Sequence, residues 1–150
     1  MLTDLLLASL HHLLFFGLIA MLVSEAALLR GTVDNAAVQR LAKLDAGYGM
    51  TAGLLLAVGI GRVFYGIKGY DFYLHNPWFH AKIGCFVLVG LLSILPTLRF
   101  VRWRKALRAD AGFVPPAAEV AAMARIIRFE LVLVAAILVF AAMMARYGGF

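Results

Sequence analysis

The sequence predicts an all-α integral membrane protein: a four-helix bundle with both termini on the outer, periplasmic side. Three observations predict it: the composition, four long apolar stretches, and the uneven placement of the cations. Of 150 residues, 64% are hydrophobic and 15% charged, whereas a soluble domain runs about 45–50% apolar and about 25% charged. That balance excludes a water-facing globule and a disordered chain. The net charge is +6, from 14 Lys and Arg against 8 Asp and Glu. In a soluble chain such an excess points to nucleic acid; in a bilayer it reports orientation, and no nucleic-acid partner is expected. The length allows a single transmembrane domain over residues 1–150. A lone cysteine, Cys85, forms no intrachain disulfide.

A hydrocarbon core about 30 Å thick takes roughly 20 mostly apolar residues per helix. The first qualifying stretch runs from about Leu2 to Leu29 and stops at Arg30-Gly31, ahead of Asp34-Asn35. The second covers about Asp45 to Tyr65 and ends at Gly66. The third opens after Pro77 and runs from Trp78 to Val101. The fourth, Val120 to Tyr147, follows the Pro115-Pro116 break. Only helices and closed barrels satisfy the backbone in lipid, and no alternating strand pattern is present. Arg30, Arg40, Lys43, Arg99, Arg102, Arg104, Lys105, Arg108, Arg125 and Arg128 gather around the first and third connections, against Arg62, Lys68, Lys82 and Arg146 at the other ends. The positive-inside rule then puts the arginine-rich loop in the cytoplasm of a bacterial inner membrane. With Asp4 and no cation before the first apolar run, no signal cleavage is expected. The connection from Gly66 to Phe79 is dense in aromatics, which fits an interfacial belt or a lid over a cavity.

Ionisable residues inside a span are costly and usually face the bundle interior. His11, His12, Arg62, His80 and Lys82 share the outer half; Glu25, Asp45, Arg99, Arg128 and Glu130 lie toward the cytoplasmic ends. At about 100° per residue, Asp4, His11 and Glu25 share one stripe of the first helix, and His12 lies on the next face. Lys82, Cys85, Val89, Ser93 and Pro96 line one small or polar face of the third, with His80 some 200° from Lys82 on this spacing. Each residue also has a plain structural reading. Lys82 can snorkel along its stem, His80 can sit among the headgroups, and either of the paired histidines can bond a neighbouring backbone. Glu25 and Glu130 match Arg125 and Arg128 in sign and depth, so structural ion pairs are expected there. Gly49 and Gly53 form a GxxxG step that suits a homodimer.

Imidazole in a helical bundle suits haem iron, and without CxxCH any haem is non-covalent haem b. On this reading His11 or His12 ligates the metal. Six scattered methionines without a cluster give no support for copper. Leu10-His11-His12-Leu13, Trp78-Phe79-His80-Ala81-Lys82, Pro96-Thr97-Leu98-Arg99 and Met143-Met144-Ala145-Arg146 resemble a bacterial family of four-helix inner-membrane proteins with no assigned function. More distantly, the layout resembles the haem-b-containing protoporphyrinogen IX oxidases, with His11 or His12, Trp78 with Lys82, and Arg125 or Arg128 with Glu130 in the matching places. Arg128-Phe129-Glu130 stands where those oxidases have Arg-x-x-Asn-Glu, so shared architecture is expected before shared substrate. The resemblance implies a membrane oxidoreductase in which His11 or His12 holds haem b beside Trp78 and His80. Lys82 and Arg62 would act at the outer mouth on an anionic group, with a quinone or a porphyrin as partner. The alternatives are a small cofactor-free membrane subunit or scaffold and a dimeric small-molecule transporter.

Overall fold

The computed structural model describes residues 2–147. Four long helices carry the chain: α1 (Leu2–Arg30), α2 (Asn35–Tyr65), α4 (Pro77–Ala109) and α5 (Ala117–Tyr147), with the six-residue α3 (Gly69–Leu74) between α2 and α4. All four are long and apolar enough to span a membrane. Among the described residues there is no strand.

The expected spans lie inside these helices, and two of the helices run further. The second helix begins at Asn35, ten residues ahead of its apolar stretch, because Asp34 caps it by accepting from the Ala37 amide at 2.8 Å. The polar turn bearing Gln39, Arg40 and Lys43 is therefore helix, hidden from a hydropathy reading by its charges. The third expected span continues through Trp103 and Lys105 to Ala109. Arg, Lys, Leu and Ala are strong helix formers, and no Gly or Pro lies between Val101 and Asp110. Asn76 caps α4 through the Trp78 amide, with Pro77 in its first turn. Gly69, at φ +72°, makes the left-handed turn into α3.

Helix α1 packs on α2 and α4 on α5, while α2 against α4 and α1 against α5 close the ring. The bundle therefore has an arginine-rich end, where α1 meets α2 and α4 meets α5, and an aromatic end that carries α3. Its core lies toward the arginine-rich end, where Leu22, Leu41, Phe100 and Ile127 are wholly enclosed and Val38 and Trp103 nearly so. Toward the aromatic end the facing side chains thin out: α2 brings Gly53, Gly59 and Gly61, and α4 brings Gly90. Small residues leave room between helices that large ones would fill. Outside, Leu13, Phe16, Met50, Leu54, Leu91 and Val132 stand exposed, as side chains meeting lipid should.

Candidate functional site

A cavity of about 130 Å³ lies at the aromatic end among all four long helices and α3. Three basic side chains line it: His11 from α1, Arg62 from the last turn of α2, and Lys82 from the second turn of α4. Phe15, Tyr73, Phe79, Phe86 and Met144 supply apolar wall, and among the described residues no acidic side chain lines it. Gly59 faces the His11 ring. A Cβ there would stand 3.5 Å from the His11 Cε1, and anything larger would meet the ring. Nδ1 of His11 and Nε of Arg62 are enclosed without a hydrogen-bond partner among the described residues, a costly state for polar groups. The Lys82 ammonium sits 5.4 Å from the centroid of Phe79, within cation–π range. Asp4, the acid at the start of α1, accepts from the Ile67 amide at 3.3 Å and ties the α2–α3 connection to α1.

A larger chamber of about 380 Å³ adjoins it; Phe15, Leu56, Phe86 and Ile137 stand in the walls of both. Three hydroxyls line this second space: Tyr48, Ser93 and Thr97. Ser93 Oγ donates to the Val89 carbonyl at 2.7 Å, so in its 3.1 Å contact with Tyr48 the phenol is the donor. Thr97 donates to Asp45 Oδ1 at 3.0 Å. Glu25, Asp45 and Glu130 are buried nearby, with an oxygen of Glu25 and one of Glu130 lacking any partner. Among the described residues, no group of three His, Cys, Asp or Glu is placed to hold a metal ion.

Residues 3–149 match the family described as "Predicted membrane protein (DUF2214)". The chain belongs to this family. No curated protein and no solved structure matches it. A predicted membrane family with four candidate spans is what the comparisons and the fold share. They supply no link to the protoporphyrinogen IX oxidases.

Several expected site residues of this DUF2214 member meet and others do not. His11, Arg62 and Lys82 come together, and Lys82 lines the cavity instead of snorkelling outward. His12 is exposed, its Nδ1 donating to the Ala8 carbonyl at 2.6 Å, so of the adjacent histidines only His11 turns inward. His80 is also exposed and donates from Nε2 to the Leu74 carbonyl at 2.8 Å, which ties the end of α3 to α4. Trp78 lies outside the cavity wall, stacked on Phe140 with ring centroids 6.1 Å apart.

The expected pairing of Glu25 and Glu130 with Arg125 and Arg128 does not form. Both arginines are exposed, and Arg128 Nε donates to the Ala124 carbonyl of its own helix. Depth along the membrane matched these groups, but facing did not. The buried stripe of α5 runs Met123, Ile127, Glu130, Val134, Ile137, a four-three spacing that places Glu130 inward and leaves Arg125 and Arg128 outside it. Among the described residues the one ion pair joins Arg99 to Glu119 at 2.6 Å. Trp103 Nε1 donates to the other Glu119 oxygen at 2.8 Å. Sequence reasoning missed Glu119; the available signal was an acid in the first turn of α5, where the helix dipole favours it.

Proposed function

We propose that this chain is a membrane-embedded binding protein for an amphipathic anion. The anionic head would be held by Arg62 and Lys82 beside His11, and the apolar body would lie in the adjoining chamber. The observation that carries this reading is a cavity with, among the described residues, three basic side chains and no acidic one, two of them with enclosed nitrogens lacking a partner among those residues. Charges at membrane depth mark ligand pathways. At 130 Å³ the mouth admits a head group. Sites for drug-sized ligands run about 300–1,000 Å³, a size reached with the 380 Å³ chamber. With the arginine-rich end in the cytoplasm of a bacterial inner membrane, the mouth faces the periplasm.

Haem b is a specific member of this ligand class, an apolar macrocycle with two carboxylates, and His11 is the observation that favours it. The donor set fits, because the His11 imidazole and the Met144 thioether both line the cavity. Arg62 and Lys82 suit the propionates. The room fits only if the macrocycle occupies both spaces. Bound there, haem would supply one-electron chemistry of the kind a membrane oxidoreductase uses.

Two titrations test the proposal. Trp103→Phe leaves Trp78 as the only tryptophan, and a dibrominated fatty acid and its matching alcohol are titrated against its fluorescence. Saturable quenching by the acid, with the alcohol about tenfold weaker, is expected; equal quenching by both overturns the anion reading. Haemin is titrated in parallel, with visible spectra before and after dithionite. A spectral change lost in His11→Ala and kept in His12→Ala supports haem b. A spectrum unaffected by either substitution removes haem and leaves the anion reading standing.

A further inference from the structure

The proposed anion site makes no use of three buried carboxyl groups closer to the arginine-rich end. Glu25 and Glu130 are 1% exposed and Asp45 is 6% exposed. Each lies on the buried face of its own helix, α1, α2 and α5. The facing groups come from every long helix: Glu25 from α1, Asp45 and Tyr48 from α2, Ser93 and Thr97 from α4, and Glu130 from α5. None of them is a cation. Arg99 of α4 is engaged by Glu119, and Arg125 and Arg128 of α5 point outward. Buried carboxylates without counter-charge are very costly, so their charge must be balanced by something other than a basic side chain. A proton on the carboxyl removes the charge and needs no further ligand. The partnerless oxygens of Glu25 and Glu130 are where a carboxyl would carry or receive one.

We infer that Glu25, Asp45 and Glu130 form a proton-binding site inside the bundle, connected to the larger chamber by the hydroxyl of Thr97. Thr97 lines the chamber and donates to Asp45; Ser93 lines it and receives the Tyr48 hydroxyl. In the transfer step, a hydronium ion in the chamber gives a proton to Thr97 Oγ1 as the threonine proton passes to Asp45 Oδ1. The hydroxyl ends with one O–H bond, as it began, and a water remains in the chamber. Chains of acids and hydroxyls serve as proton relays in other membrane proteins. The site stands independently of the ligand bound at the mouth.

Infrared difference spectroscopy of the purified protein at neutral pH tests it. The expected result is a carbonyl stretch of protonated carboxyl that weakens in Glu25→Gln and in Glu130→Gln and is unchanged when sodium salts are replaced by choline salts. A hydrophobic carbodiimide, which reacts with protonated carboxyls in apolar surroundings, should modify Glu25 or Glu130 in the unmutated chain, read by peptide mass spectrometry. Thr97→Val should slow the deuterium shift of the band at least about tenfold. Absence of the band, its loss in sodium, or no carbodiimide adduct on either glutamate overturns the proton site. An unchanged exchange rate in Thr97→Val overturns the relay.

Discussion

Glu119 shows how one side chain can close the arginine-rich end. It receives the Arg99 guanidinium on one oxygen and the buried Trp103 indole on the other. The ion pair is about one-third exposed on both sides, so solvent screens it and its own worth is about 0.2–1 kcal/mol. The indole bond matters more, since Trp103 is only 1% exposed. Glu119→Gln keeps an acceptor for Trp103, and the stability loss should stay near the ion-pair value. Glu119→Ala strands the indole N–H and should cost about 1–3 kcal/mol more. Thermal unfolding in detergent followed by tryptophan emission checks both; equal losses would show that the indole bond carries nothing. At the other end, Arg62→Gln and Lys82→Gln should each weaken fatty-acid binding while leaving the unfolding midpoint near its starting value, because among the described residues Arg62 Nε has no hydrogen-bond partner to lose and Lys82 gives up only its contact with Phe79.

Among the elements, α2 has the most to do with the empty space. Gly59→Ala places a methyl group at ordinary contact distance from His11 and should be tolerated, with a helix gain of up to about 1 kcal/mol. Gly59→Leu should push into the imidazole and abolish binding at the mouth while the helix persists, measured by ligand titration beside circular dichroism. Gly49 and Gly53 have nothing within 4 Å of an added Cβ. In a single chain, Ala at both should raise stability by about 1 kcal/mol per site. A drop in stability together with loss of a dimer band on native gels would show a second copy packed on this face, as the GxxxG spacing invites. The same helix shows the limits of hydropathy: Asp45–Tyr65 was legible by its apolar run, whereas Asn35–Leu44 was not, because capping and helix propensity build that part.

At the scale of the molecule, the sequence revealed the four spans and set His11, Arg62 and Lys82, together with His12 and His80, in one half of the bundle, because depth along a helix follows directly from residue count. Facing was harder. The moderate stripe spacing on α5 was enough to turn Glu130 inward, yet matching charges by depth alone paired it with arginines that point away. The inward turn of Thr97 to Asp45 and the tie from Glu119 to Trp103 join helices 52 and 16 residues apart in sequence, and no local pattern encodes such contacts. The charge asymmetry predicts orientation. In a Cys85→Ala background, Lys68→Cys at the aromatic end should react with a membrane-impermeant maleimide in spheroplasts, and Arg108→Cys should react only after lysis. The reverse pattern would turn the mouth toward the cytoplasm.

The central claim is that the basic mouth selects an anionic head group. Its most direct measurement is the ratio of dissociation constants for a fatty acid and the alcohol of the same chain, in the Trp103→Phe protein and in the same protein carrying Arg62→Gln and Lys82→Gln. The account predicts a preference for the acid of about tenfold or more that falls to near unity in the double variant, with the alcohol's affinity unchanged. A preference that survives the loss of both cations would contradict it.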